Sequence, residues 1–98
     1  MDEPTPDSPT QTTWQVELTP QAIKSLKKLD KAPRNRIVRF LEERIQGAVD
    51  PTPLGTQLVD SEGLWRYRVG DYRILCLLER ERVTVLVIEV AHRRQIYR

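Results

Sequence analysis

The stretch LWRYRVGDYRILCLLE, residues 64–79, decides the fold. It is dense in Leu, Ile, Val, Tyr and Trp and is broken once, at Gly70-Asp71. Two such runs around a two-residue Gly-Asp step predict a β-hairpin with glycine at the first central turn position. Strand side chains alternate between faces, so the turn sets the register. Val69 then pairs with Tyr72, Arg68 with Arg73 and Arg66 with Leu75. One face carries Trp65, Tyr67, Val69, Tyr72, Ile74, Cys76 and Leu78 and is nearly all apolar. The other carries Leu64, Arg66, Arg68, Arg73, Leu75 and Leu77. A one-residue slip would drive three arginines into the core, which desolvation forbids.

Downstream, a break near Arg80-Glu81 leads to a third strand at about 82–90. Upstream, residues 50–63 hold Pro51, Pro53, Gly55 and Gly63 and read as a loop. Before it lie two helices. Thr19-Pro20 is an N-cap followed by proline at the first helical position, with Ala22, Ile23, Leu26 and Leu29 on one stripe. A second stripe starts from Pro33 with Ile37, Val38, Phe40, Leu41 and Ile45, and ends at Gly47 and Asp50-Pro51. WQVEL (14–18) alternates as a half-buried strand. The order β-α-α-β-β-β predicts an α+β domain, a helical hairpin on one face of a mostly antiparallel sheet.

The chain has 98 residues, enough for one domain, and 39% of them are hydrophobic. Residues 1–13, MDEPTPDSPTQTT, hold three of the seven prolines and read as a flexible acidic tail; 14–98 form the domain. No signal peptide and no apolar run of membrane-spanning length is present, so the expectation is a cytoplasmic protein with no membrane partner. The single Cys76 and single His92 exclude an internal disulfide and a zinc site, and no metal is expected. Cys76 falls on the core face and reads as a buried small hydrophobe. Net charge is only +2, but the tail holds three acids and no base. The remainder has 16 bases against 11 acids, about +5.

The distribution of that charge points to an anion. Arg68 opposite Arg73 is a like-charge cross-strand pair, unfavourable by itself. Asp71, Glu79 or Glu89 could neutralise the pair, but Glu79 shares the face several residues away and Asp71 sits in the turn. Arginine's planar fork suits phosphate. A merely solvated polar sheet face is the alternative. Lys24, Lys27, Lys28 and Lys31 of the first helix and its exit, with the arginines of the second, make another basic surface. It fits either plain solvation or non-specific contact with RNA.

The segment GLWRYRVGDYRILCLLERERVTVLVIEVAHRRQIYR (63–98) resembles the RelE/ParE toxin superfamily of bacterial toxin–antitoxin modules. WRYRVGDYRI and the closing HRRQIYR are typical of its RelE branch. The resemblance implies a microbial RNase-type fold and a ribosome-dependent mRNA endoribonuclease that needs no metal or cofactor. It cuts mRNA in the ribosomal A site by attack of the ribose 2′-hydroxyl on the adjacent phosphate, and a cognate antitoxin blocks it. Carried over by position, the family's basic residues fall on Arg66, Arg68, Arg73 and Arg93, and its terminal tyrosine on Tyr97. Arg68, Arg73 and Arg93 are expected to stabilise charge on the phosphate, and Tyr97 to stack on a base or act as general acid. Some relatives have lysine at the positions of Arg66 and Arg68. Arginine cannot lose its proton to serve as base there, which leaves His92 as the expected proton acceptor, with a carboxylate or ribosomal RNA as alternatives. Arg66, Lys24, Lys27, Lys28 and Arg94 are expected to contact messenger or ribosomal RNA. The ParE branch, which inhibits DNA gyrase without cutting RNA, and a catalytically weak antitoxin-binding homologue are the rival readings.

Overall fold

The computed structural model describes residues 12–59 and 63–94. Residues 1–11 of the expected tail and Tyr97 lie outside that range.

The chain runs β1 (Gln15–Leu18), α1 (Pro20–Lys27), α2 (Lys31–Phe40), β2 (Gly55–Gln57), β3 (Leu64–Val69), β4 (Tyr72–Glu79) and β5 (Thr84–His92). One five-stranded sheet has the order β1-β5-β4-β3-β2. Only the β1–β5 pair is parallel, because the two helices carry the chain from one edge of the sheet to the other. The helices cover one face, the α+β arrangement expected.

Local chemistry explains the elements. The Thr19 side chain caps α1 by accepting from the Ala22 N–H at 3.0 Å, and Pro20 opens the helix. Ala22 and Leu26 are buried, but Ile23, expected on the same stripe, is 41% exposed. An eight-residue helix meets the sheet along a narrow line, and Ile23 falls beside it. The second helix begins at Lys31, two residues before the expected Pro33, and runs through a π-helical turn at Leu41–Ile45. There the Gln46 N–H reaches the Leu41 carbonyl at 2.8 Å. Ile37, Leu41 and Ile45, spaced by four, are thereby all buried. Gly47 ends the helix with φ +83°.

The hairpin register is the predicted one at every rung: Val69–Tyr72, Arg68–Arg73, Arg66–Leu75 and Leu64–Leu77. Gly70 has φ +60° and Asp71 does not share the positive sign, as a turn with glycine at its first central position requires. Tyr67, Ile74 and Cys76 are fully buried against the helices, and burial pushes the Cys76 thiol well above its usual pKa.

Two expectations need correction, and the last strand carries an irregularity. The 50–63 segment is not all loop, since Gly55–Gln57 pairs antiparallel with β3. This strand has no apolar pattern of its own and depends on its neighbour. Tyr67 helps hold it: the ring lies 2.9 Å from where a Cβ on Gly55 would sit, and its hydroxyl donates to the Pro51 carbonyl. Next, β5 starts at Thr84 rather than 82. Arg80–Arg82 forms a 3₁₀ turn and Val83 takes the left-handed region at φ 50°. Finally, β5 is not regular. Cys76 pairs with Val87 but Leu75 with Glu89, so Ile88 is an extra residue in a β-bulge. Beyond it Val90 pairs with Ile74, Ala91 with Arg73 and His92 with Tyr72.

Candidate functional site

The face of the sheet away from the helices carries the hairpin arginines. Arg68 and Arg73 are directly opposite, and Arg66 stands one same-face position along β3. Rigid paired strands hold their backbones, so the charges converge without any loop to order them. Arg73 is half-buried beside them. Its pKa is lowered by desolvation first, then by repulsion from Arg68, Arg66 and Arg93, against which only the Asp71 carboxylate raises it. Four guanidiniums therefore share one neighbourhood, in which Asp71 is the acid that acts on Arg73. The Arg73 guanidinium turns toward the hairpin tip and donates to the carbonyls of Gly70 (3.3 Å) and Tyr72 (3.2 Å).

Arg93 is brought in by the strand end. Its N–H donates to the Asp71 carbonyl at 2.7 Å, and its guanidinium lies 3.9 Å from the Asp71 carboxylate. Both side chains are more than half exposed, so this contact fixes orientation and adds little energy. Among the described residues, Arg66 and Arg68 have no acid within ion-pair distance. The other acidic contacts are spent elsewhere: Glu17 and Glu79 hold Arg82 at the far end of the sheet. Clustered arginines with so few counter-ions favour an anion with several oxygens, such as a phosphodiester.

Arg36, which the sequence places only on the basic surface of the helices, joins this region. Its guanidinium packs against the hairpin tip, within 2.7 Å of where a Cβ on Gly70 would be. No periodic signal links a helix position to a turn 34 residues later.

The remaining sequence-predicted residues are dispersed. His92 does not join the arginines. The bulge sets it opposite Tyr72, whose face is that of the core, and the two rings pack edge to face with centroids 5.6 Å apart. Its Nδ1 accepts the Arg94 N–H at 3.3 Å. Lys24, Lys27 and Lys28 are exposed on and just after α1, and Arg94 is exposed beyond β5. Glu89 stands beside Leu75, which pairs on its other side with Arg66, so these three make one row across the sheet.

Residues 16–97 match the model of the ParE toxin of type II toxin–antitoxin systems. No curated protein matches the sequence. Among solved structures, a chain of the toxin–antitoxin complex RelBE2 from Mycobacterium tuberculosis is 27% identical. It has a TM-score of 0.73, and the match covers 82% of this chain and 91% of that one. A chain of the RelB–RelE antitoxin–toxin complex from Methanococcus jannaschii is 25% identical, with a TM-score of 0.69 and coverage of 83% and 94%. The intact RelBE complex of E. coli, at 21% identity and a TM-score of 0.60 over 82% and 96%, shares the fold.

Proposed function

The chain belongs to the ParE toxin family of type II toxin–antitoxin systems, within the RelE/ParE superfamily, and from that premise we propose that it is an mRNA endoribonuclease restrained by a cognate antitoxin. The observation that carries this reading is the gathering of Arg66, Arg68, Arg73 and Arg93 at the hairpin, where Asp71 is the acid that acts on Arg73. Gyrase inhibition needs no phosphodiester site of this kind.

In the proposed reaction the 2′-oxygen of a ribose attacks the adjacent phosphorus and the bond to the 5′-oxygen breaks. The products are a 2′,3′-cyclic phosphate and a 5′-hydroxyl. Negative charge builds on the non-bridging oxygens, and Arg68, Arg73 and Arg93 stabilise it, a few kcal/mol for each well-aimed donor in a water-poor site. Arg66 holds the neighbouring phosphate. Lys24, Lys27, Lys28 and Arg94 contact RNA beyond the cleavage site, including ribosomal RNA. Tyr97 stacks on a base or protonates the leaving oxygen. The register puts His92 on the other side of the sheet from the arginines, so the acceptor of the 2′-hydroxyl proton is assigned to Glu89, in the row of Arg66, or to ribosomal RNA. The same basic surfaces suit an acidic antitoxin, and the ribosome of the cytoplasm is the place of action.

The family description itself names ParE, which favours gyrase inhibition as the second reading. Induced expression of the full chain with mapping of transcript ends separates the two. Cuts within translated codons that vanish in Arg73→Ala support the ribonuclease. Broken or relaxed DNA beside intact mRNA supports gyrase poisoning instead.

A further inference from the structure

We infer that the cleft between the end of α1 and the end of β5 is a nucleobase-binding site, on the opposite side of the sheet from the arginines. Its biological meaning rests on the RNA reading above. The cleft exists because β1 stops at Leu18, opposite Val87. There the chain leaves the sheet through Thr19, whose N–H and hydroxyl donate to the carbonyls of Val87 and Ile88, both at 3.0 Å. Past that point, no described strand flanks the outer edge of Glu89–His92. The result is a space of about 360 Å³ lined by Ser25, Lys28, Leu29, Tyr72 and the Glu89–His92 segment.

Three features select a flat polar heterocycle. An open strand edge offers main-chain donors and acceptors in a row, which the edge of a base can match. His92 and Tyr72 supply half-buried aromatic surfaces set at 79° to each other, and Lys28 lines the same cleft. Because Nδ1 of His92 accepts the Arg94 N–H, the neutral ring carries its proton on Nε2 and can donate there. The volume is that of a small-ligand site. A peptide strand fits worse, since only four residues of edge are open and Thr19 closes one end.

Position ties this cleft to the arginines. Tyr72 and His92 immediately precede Arg73 and Arg93, so the cleft and the phosphate cluster meet at one end of the sheet. A nucleotide chain crossing that end places a phosphate on one side and the adjoining base on the other.

The test is an NMR titration of the isotope-labelled full chain with adenosine, guanosine, cytidine and uridine in turn, and with inorganic phosphate. At least one nucleoside should move the His92 and Tyr72 ring signals saturably at millimolar concentration, while phosphate moves only the arginine signals. Ser25→Phe fills the cleft and should weaken that nucleoside roughly tenfold or more with an unchanged thermal midpoint. Lys28→Ala, exposed and free of packing cost, should weaken it too. Silent rings with all four nucleosides, or binding unaffected by both substitutions, overturns the inference. Ring shifts in a chain that leaves mRNA uncut would sink the ribonuclease reading and keep the cleft; cut mRNA with silent rings does the reverse.

Discussion

The two faces of the β3–β4 hairpin follow opposite rules. On the helix side, Tyr67, Ile74 and Cys76 are fully buried and every side chain has apolar neighbours. On the open side, Arg68 opposes Arg73 with Arg66 and Arg93 close by, an arrangement that weakens a sheet. The first face supplies the stability that lets the second hold like charges together. A sheet that must hold like charges side by side needs a stiff backbone behind them. Here that backbone is clamped by a close-packed core.

Five changes test this contrast. Ile74→Ala, which empties the centre of the packed face, should cost about 2–5 kcal/mol in urea unfolding. Leu75→Ala, its half-buried neighbour on the open face, should cost clearly less. Equal losses would mean the faces do not differ in packing. On the open face, Arg73→Ala should leave the melting temperature unchanged or higher while transcript cleavage falls about 10²–10³-fold. Behind it, Tyr67→Phe removes the hydroxyl that satisfies the buried Pro51 carbonyl, which should cost about 1–3 kcal/mol with cleavage per folded molecule unchanged. Smallest is Arg68→Thr. Relief of the cross-strand repulsion should stabilise the fold by a few tenths to about 1 kcal/mol in thermal melts, with cleavage reduced. A loss of stability there would show that the arginines support one another through a contact the register does not reveal.

The cleft and the arginine cluster differ in how far they can be read without coordinates. The arginine face follows from Gly70-Asp71 alone, because a two-residue turn and strict alternation leave no freedom in the register. The α1 cap is equally local: Thr19-Pro20 signals it and Thr19 makes it. By contrast, the side on which His92 lies depends on Ile88, an extra residue in β5. A bulge has no reliable composition, so alternation counted along β5 loses its phase there. The strand at Gly55–Gln57 was hidden for a related reason. It carries no apolar residue to bury and exists only because β3 has a free edge beside it. Ile23 shows a third limit, since helical spacing places it on a stripe but only the sheet's position decides how wide a stripe is covered.

By itself, the sequence determined the two helices, the first strand, the hairpin, the α+β class and the grouping of Arg66, Arg68 and Arg73. These rest on short-range effects: turn chemistry, capping and period. Only the tertiary structure decided that Arg93 and Arg36 reach the hairpin tip, that His92 turns to the helix side and that an open strand edge lies beneath the end of α1. Those features depend on where separate elements meet, and packing between distant segments sets that without leaving a pattern in either one.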